Sequence, residues 1–266
     1  MIEQLSIGII GCGNMGGAIL NGLLTSNKKP RAITVLDPSF ITVNPLVEST
    51  VSYKELLEKS DCIILAVKPF VSLEVLQQIE AVKSKKDILF ISVIAGVSTK
   101  EILASSPSIK RIVRAMPNLA ATLKYSATTI YTLDKNDFKI ADAVFQTIGS
   151  VTLIENEALI NTATGLAGSG PAFVFVFAEA CIKAGIAKGF SAEKARKLTI
   201  ETILGAGRVM QESNLELSEL IKKVATPGGT TEAGLISLRD NNFTEIVKNA
   251  VIAAVEKAEC NLSQKN

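Results

Sequence analysis

Two glycine-rich turns, each directly followed by a helical pattern, contain the residue types of this chain that best indicate chemistry. The first is GCGNMG, residues 11–16, and the second is PGGTT, residues 227–231. The start of a helix carries N–H groups without a partner and the positive end of the helix dipole, so both turns are suited to an anion. A simpler interpretation is also open at the second turn: Thr230 is an ordinary N-cap, and the glycines only end the preceding element.

The first turn lies between a strand pattern, Ser6 to Ile10, and a helical pattern that continues to about Thr25. A GxGxxG motif in this strand–turn–helix context is a fingerprint of dinucleotide binding, because its glycines permit the tight turn, the approach of a pyrophosphate and close packing of the helix on the strand. The residues that we predict to hold the pyrophosphate are Gly11, Cys12, Gly13, Asn14, Met15 and Gly16.

An acidic residue follows the second strand pattern, Ile33 to Leu36. This residue, Asp37, stands 21 positions after Gly16. A carboxylate at that place can accept hydrogen bonds from the ribose hydroxyls of a dinucleotide, and it repels a 2′-phosphate. The alternative is that Asp37 only begins a turn, since proline and serine come next.

The chain contains no histidine, which restricts its chemistry. Ser–His and Cys–His nucleophilic pairs, His-ligated metals and dehydrogenases with a histidine acid/base are excluded. The four cysteines form no CxxC pair, so we predict neither a disulfide framework nor a metal site.

Charge and hydropathy argue against two classes of partner. The net charge is +2, from 28 basic and 26 acidic residues, so no nucleic-acid partner is expected. We also expect no membrane-spanning helix, on the view that no apolar run reaches about 18 residues without a charge. The N-terminus lacks the pattern of a secretion signal, and a cytoplasmic protein is expected.

Strand patterns alternate with helix-length intervals up to residue 156, which predicts a Rossmann-type, doubly wound and mostly parallel sheet. The further strands are predicted at Cys62 to Val67, Leu89 to Gly96, Lys110 to Asn118, near 126–133 and near 150–155, with a capping box at residues 98–101 and a helix near 135–148. Ligands bind beyond the carboxyl ends of such strands. Lys68 and Asn118 are the polar groups expected there, although either could be a plain loop cap.

The pattern changes to a helical period from residue 157 onward. Helices are predicted near 157–165, 171–188, 191–212, 216–225, 230–239 and 243–262. Pro171 suits a first helical turn and Ser191 an N-cap. The helix that begins at Pro171 is apolar nearly all round, so it should be buried, either within its own domain or against a second subunit. We therefore predict a dinucleotide-binding domain, residues 1–156, and a helical domain for substrate binding and dimerisation, residues 157–266.

The sequence resembles the pyrroline-5-carboxylate reductases over essentially its whole length. The motifs that carry the resemblance are IGCGNMGGAI (10–19), LAVKP (65–69), IAGVS (94–98), RAMPN (114–118), TGLAGSGPAF (164–173) and VATPGGTTEAG (224–234). The resemblance implies reduction of 1-pyrroline-5-carboxylate to L-proline with NADH or NADPH, the last step of proline biosynthesis. It also implies a homodimer, often assembled into a homodecamer.

The resemblance also assigns residues to the site. The cofactor is expected at the Gly11–Gly16 turn, Asp37, Ser39, Ala66, Val67, Lys68 and Ala95, with Asn118 beside it by position. The substrate is expected at Glu157, Ser169, Gly229, Thr230 and Thr231, and Thr231 is the candidate for a hydroxyl that bonds the ring nitrogen or the carboxylate. Ser169 would line the nicotinamide side. The chain departs from the family pattern at Asp37, at RAMPNLAA and at Lys222 and Lys223.

Two other functions are open to a chain of this architecture. A dehydrogenase acting on β-hydroxy acids or 6-phosphogluconate uses a catalytic lysine on the matching helix, which here reads PAFVFVFAEACIK and has no lysine in its first three turns. A nonenzymatic nucleotide sensor of the same fold would bind NADH without turnover, and no sequence feature favours it.

Overall fold

A computed structural model describes residues 2–42 and 44–263 of the chain. The chain divides into two compact units. The first ends at Ser169 and includes the end of the last helix from Ala254, and the second is Gly170–Ala253. The division at residue 156, drawn where strand patterns give way to helical ones, stays a prediction.

The first unit contains one eight-stranded sheet. Its strands are β1 (Ser6–Ile10), β2 (Ala32–Leu36), β3 (Val47–Thr50), β4 (Cys62–Leu65), β5 (Leu89–Ser92), β6 (Arg111–Met116), β7 (Ser126–Tyr131) and β8 (Gly149–Ile154). Their order across the sheet is β3-β2-β1-β4-β5-β6-β7-β8. Strands β1 to β6 run parallel, β7 is antiparallel to β6, and β8 is parallel to β7. The predicted doubly wound, mostly parallel sheet is confirmed.

Apolar side chains cover both faces of this sheet, because neighbouring residues of a strand point to opposite faces. Ile7 and Ile9 of β1 belong to one buried cluster with Leu23 of the following helix. Ile10 belongs to a second cluster with Leu56. Burial on both faces explains why the strands read as continuous apolar runs and could be recognised in the sequence.

The α-helices that accompany the sheet among the described residues are α1 (Asn14–Thr25), α2 (Tyr53–Lys59), α3 (Ser72–Val82), α4 (Thr99–Ser105), α5 (Lys135–Phe145) and α6 (Leu159–Ala163). A π-helical turn, Thr164–Gly168, follows α6. Helix α4 begins with the predicted capping box: the Ser98 hydroxyl accepts the N–H of Glu101 at 3.2 Å, and the Glu101 carboxylate accepts the N–H of Ser98 at 2.7 Å.

The second unit is helical. Its helices are α7 (Gly170–Ala187), α8 (Ala192–Glu212), α9 (Leu217–Val224), α10 (Thr230–Asp240) and α11 (Phe243–Ser263), the last of which continues into the first unit. Pro171 lies in the first turn of α7, and Ser191 caps α8 by accepting the N–H of Lys194 at 3.3 Å. Five of the six helices predicted after residue 156 are therefore confirmed in this unit, and the sixth, near 157–165, corresponds to α6 of the first unit.

Helix α7 is apolar but not buried within the chain. None of its residues is fully buried, and Phe175 and Val176 are 59% and 67% exposed. Of the two predicted ways to bury this helix, packing inside its own domain is therefore not realised in the single chain.

The expectation that no helix is long and apolar enough for a membrane span was wrong. Residues 159–187 pass that test by length and composition, with a mean hydropathy of 1.5 over their best window. The reason is that residues 158–178 contain no charged side chain, although they include several glycines, serines and threonines.

Candidate active site

The glycine-rich turn between β1 and α1 has the geometry of a dinucleotide cradle. Gly11 has a φ of 87°, and a Cβ there would lie 2.8 Å from the carbonyl oxygen of Ala66. A Cβ on Gly16 would lie 2.1 Å from the carbonyl oxygen of Gly11, so only glycine fits between turn and helix. Nothing lies within 4 Å of a Cβ on Gly13, which leaves open space where a pyrophosphate is expected.

The N-terminus of α1 is free for an anion. Its N-cap is Gly13, and no side chain makes a capping hydrogen bond. The N–H of Gly17 donates to the carbonyl of Gly13 at 2.7 Å, as the fourth residue of a helix should. The three preceding N–H groups have no acceptor within the helix, so they and the helix dipole can bind a phosphate. The turn therefore fits the cofactor predicted for it.

Asp37 lies beside this turn and is tied to it. One carboxylate oxygen accepts the N–H of Cys12 at 2.7 Å, and the other accepts the N–H and hydroxyl of Ser39 at 2.8 and 2.7 Å. The bond from Cys12 is the main cause that holds the pKa of Asp37 below its ordinary value; partial burial opposes it, and the bonds from Ser39 support it. Asp37 is therefore ionised near neutral pH, and its contact with a ribose stays a prediction.

The thiol of Cys12 stays protonated near neutral pH. Partial burial raises its pKa, and the nearby charge of Asp37 raises it further.

Three predicted cofactor residues follow β4. Ala66 donates its N–H to the carbonyl of Ile10 at 2.8 Å, so the end of β4 is bonded to the end of β1. Val67 is half-buried, and Lys68 is exposed with its Nζ 5.8 Å from the centre of the Phe70 ring. These residues share the carboxyl-end edge of the sheet with the glycine turn.

The other two predicted cofactor residues follow the next strands. Ala95 is exposed beyond β5. Asn118 is nearly buried after β6, where its Oδ1 accepts the N–H of Ala120 at 3.1 Å and its Nδ2 donates to the carbonyl of Ala167 at 3.0 Å. Asn118 therefore caps the short helical turn after β6, which was one of the two alternatives for it. Its cofactor role stays a prediction.

Glu157 is held by the protein itself. Its Oε1 accepts the N–H of Thr99 at 2.8 Å and Nη1 of Arg114 at 3.0 Å, and its Oε2 accepts the Thr99 hydroxyl at 2.6 Å. Sequence reasoning did not find Thr99 or Arg114. An arginine within the buried strand RIVRAM was the available signal, because a buried charge needs a partner. The substrate role of Glu157 stays a prediction.

Ser169 closes the π-helical turn. Its N–H donates to the carbonyl of Thr164 at 2.8 Å, and its side chain is half-buried. Its position beside a nicotinamide stays a prediction.

In the second unit, α10 begins at the PGGTT turn, but Thr230 is not its N-cap. The N-cap is Gly229, without a side-chain capping bond, and Thr230 is the first helical residue. Gly229 holds the cap position because its carbonyl accepts the first bond of the helix, from the N–H of Ala233 at 3.2 Å. The N–H of Gly229 donates to the carbonyl of Thr226 at 3.0 Å and so closes the preceding turn. The N–H groups of Thr230 and Thr231 consequently lack an acceptor within the helix.

A carboxylate of the chain already lies at this helix start. Glu232 accepts the N–H of Gly228 at 2.7 Å, and Gly228 has a φ of 72° that favours glycine. Sequence reasoning missed this contact. A glutamate in the first turn of a helix was the signal that could have indicated it.

Comparison with known proteins agrees with this geometry. Residues 157–260 match the family model described as pyrroline-5-carboxylate reductase dimerisation, and residues 6–96 match one described as NADP oxidoreductase, coenzyme F420-dependent. The chain is 36% identical to pyrroline-5-carboxylate reductase 2 of Bacillus subtilis, over 92% of this chain and 91% of that protein. It is 33% identical to the pyrroline-5-carboxylate reductase of Aquifex aeolicus, over 97% and 98%.

Solved structures give the same result. A Plasmodium falciparum pyrroline carboxylate reductase with NADP bound is 30% identical, with a TM-score of 0.87 over 98% of this chain and 100% of that chain. A pyrroline-5-carboxylate reductase from Coxiella burnetii is 33% identical, with a TM-score of 0.89 over 96% and 97%.

The sheet of the first unit carries an intact glycine turn, and the helical region that follows matches the dimerisation model. Together these features define an NAD(P)-dependent oxidoreductase. More narrowly, the chain belongs to the pyrroline-5-carboxylate reductase family. The apolar segment 159–187 lies within the residues matched by the dimerisation model.

Proposed function

We propose that this chain reduces 1-pyrroline-5-carboxylate to L-proline, the last step of proline biosynthesis, with NADPH or NADH as the reductant. The observation that carries this function is family membership over nearly the whole chain, in a protein that keeps both the glycine turn and the PGGTT helix start. The chemistry is addition of a hydride to the carbon of the ring C=N bond, while the nitrogen gains a proton.

The first unit would hold the cofactor, which supplies the hydride when bound. The N–H groups at the start of α1 would bind the pyrophosphate, and Asp37 with Ser39 would meet the adenosine ribose. The residues proposed to line the rest of the cofactor are Ala66, Val67, Lys68, Ala95 and Asn118. The open space at Gly13 and the tight fit at Gly16 support this assignment.

The start of α10 would hold the substrate. We propose that the N–H groups of Thr230 and Thr231, with the backbone of Gly229, bind the substrate carboxylate, and that the Thr231 hydroxyl bonds the ring nitrogen. Ser169 would line the nicotinamide side. A protonated imine is already electrophilic, so orientation and electrostatics matter more than a strong general acid. This requirement is compatible with a chain that has no histidine.

We further propose a homodimer or homodecamer in the cytoplasm. Helix α7 exposes apolar residues in the single chain, and a groove of 730 Å³ is lined by residues of α7 and α11 such as Val176, Phe177 and Ile246. Burial of these side chains against a second copy would remove them from water.

The test is an assay of the purified protein with 1-pyrroline-5-carboxylate and each reduced nicotinamide cofactor, following cofactor oxidation and proline formation. Piperideine-carboxylate and open-chain keto acids serve as comparison substrates. The proposal predicts proline as the product and little turnover of the keto acids. No proline at any pH between about 6 and 8, from protein that binds NADPH, would refute it.

A further inference from the structure

The carboxylate of Glu157 connects three segments of the first unit that are distant in sequence. Its three hydrogen bonds, at 2.6–3.0 Å, come from Thr99 at the start of α4 and from Arg114 in β6. The Arg114 side chain is 3% exposed and that of Glu157 is 20% exposed. Charge-assisted bonds in such surroundings are strong, and they are geometrically restrictive when arginine is the donor. We name Thr99, Arg114 and Glu157 the Glu157 cluster.

The cluster fixes one end of the loop that carries Ala95. This loop leaves β5 at Ser92, whose buried hydroxyl accepts the N–H of Ile94 at 3.3 Å. It ends at Ser98 and Thr99, where the N–H of Thr99 is one of the donors that a helix start leaves without an acceptor. Glu157 accepts that N–H, so both ends of the loop are bonded.

The cluster also fixes the segment that leads to Ser169. Glu157 attaches its beginning to β6 through Arg114, and the amide of Asn118 attaches its end by donating to the carbonyl of Ala167 at 3.0 Å. The segment 157–168 is therefore attached to the end of one strand at two points. Both protein loops proposed to approach the cofactor depend on β6 for their position.

We propose that Glu157 is a positioning residue, and that with Thr99 and Arg114 it holds the loop after β5 in the conformation that binds the nicotinamide cofactor. Its three hydrogen bonds all come from Thr99 and Arg114, so we assign the carboxylate a role through the loop that these residues hold. The inference rests on the proposed function only in naming the cofactor and the imine.

The experiment measures NADPH affinity of the free enzyme by fluorescence titration, and steady-state KM for cofactor and imine separately. Thr99→Val removes one hydroxyl donor, and Glu157→Gln removes the charge at constant size. Each should weaken NADPH binding by roughly 3- to 30-fold, as loss of one or two oriented bonds predicts, with the imine KM within about 2-fold of wild type. The double variant should resemble the Glu157→Gln variant, because both changes act on one contact.

Two controls separate positioning from general destabilisation. Thr99→Ser keeps the hydroxyl and should restore wild-type affinity. Arg111 lies on the same strand as Arg114 but pairs with Asp87 at 3.1 Å and with Asp137, outside the cluster. Arg111→Lys should lower the melting temperature, because it weakens these pairs, yet leave NADPH affinity unchanged.

Two results would overturn the inference. One is a Glu157→Gln variant whose imine KM rises at least about 10-fold while Thr99→Val is normal, which would make Glu157 a substrate contact. The other is unchanged NADPH affinity in both variants. If wild type binds NADPH but makes no proline, the proposed function fails alone, and the titrations still decide the role of the cluster.

Discussion

The proposed role of Asp37 in cofactor choice can be tested by replacing it with asparagine. Asn has nearly the same size and keeps an oxygen that can accept the N–H of Cys12, which Asp37 now accepts at 2.7 Å. The change therefore removes the charge while the turn keeps its main support. Asp37→Asn should shift preference from NADH toward NADPH, because the 2′-phosphate no longer meets a carboxylate.

The size of the shift follows from the distance between the charges. A ribose hydroxyl bonded to the carboxylate places a 2′-phosphate about 5 Å from it, where each pair of unit charges repels by about 1 kcal/mol in water and about 3 kcal/mol at an effective dielectric constant of 20. Asp37 is half-buried, so the result should lie between these limits. The ratio of kcat/KM for NADH to that for NADPH should fall roughly 5- to 150-fold.

The pH dependence distinguishes this charge effect from a change in shape. The pKa of Asp37 lies below its ordinary value, so its charge is constant from about pH 5.5 upward. A phosphate gains its second charge near pH 6, so the preference for NADH should grow between about pH 5.5 and 8 in wild type and stay flat in Asp37→Asn. A wild type that prefers NADPH, or an Asn variant with an unchanged ratio, would refute the role of Asp37 and direct attention to Ser39 and Lys68.

Three further predictions concern backbone fit, substrate binding and assembly. Gly16→Ala should weaken NADPH binding by more than about 100-fold in a fluorescence titration, because its Cβ would lie 2.1 Å from a backbone oxygen. Gly17→Ala should bind NADPH normally, since the nearest atom to its Cβ would be 3.6 Å away. Thr231→Ala should lower kcat/KM for the imine roughly 10- to 1,000-fold with little change in melting temperature. Thr231→Ser keeps the hydroxyl and should retain most of the wild-type kcat/KM. Full activity in the alanine variant would refute the role of the hydroxyl. Val176→Glu should shift light scattering toward a monomer, since a charge would be buried at the proposed interface. Val51 is 81% exposed, against 67% for Val176, and lies outside the dimerisation match, so Val51→Glu should cause no such shift.

Features encoded by neighbouring residues could be read from the sequence. The glycine turn and the capping box at Ser98 each depend on residues within six positions, and the structure has both where the pattern placed them. Helices α8 and α10 also begin within one residue of their predicted starts. The range predicted for α10 began correctly at Thr230, and only the alternative that made Thr230 the N-cap was wrong, because Gly229 holds that position.

Features that depend on pairing across the chain were missed. Strand β3 is short and lies at the edge of the sheet, and only its two end residues are buried, so it lacks the apolar run that marked the other strands. The bond between Arg114 and Glu157 joins residues 43 positions apart. The sequence shows that a buried arginine needs a partner, but only the folded chain shows which acidic residue supplies it.

The proposed site binds its anions mainly with backbone groups, and this has a consequence for pH dependence. The pyrophosphate and the substrate carboxylate would both meet the N–H groups of a helix start, at α1 and at α10, and such groups do not titrate. Asp37 stays ionised near neutral pH, and the chain has no histidine. Protein groups therefore contribute little to any change in activity between about pH 6 and 8, and the titration of the imine nitrogen and of the 2′-phosphate should dominate it. It follows that the profile measured with NADH should report the imine alone, and that the profile measured with NADPH should differ from it by the titration of the 2′-phosphate beside Asp37.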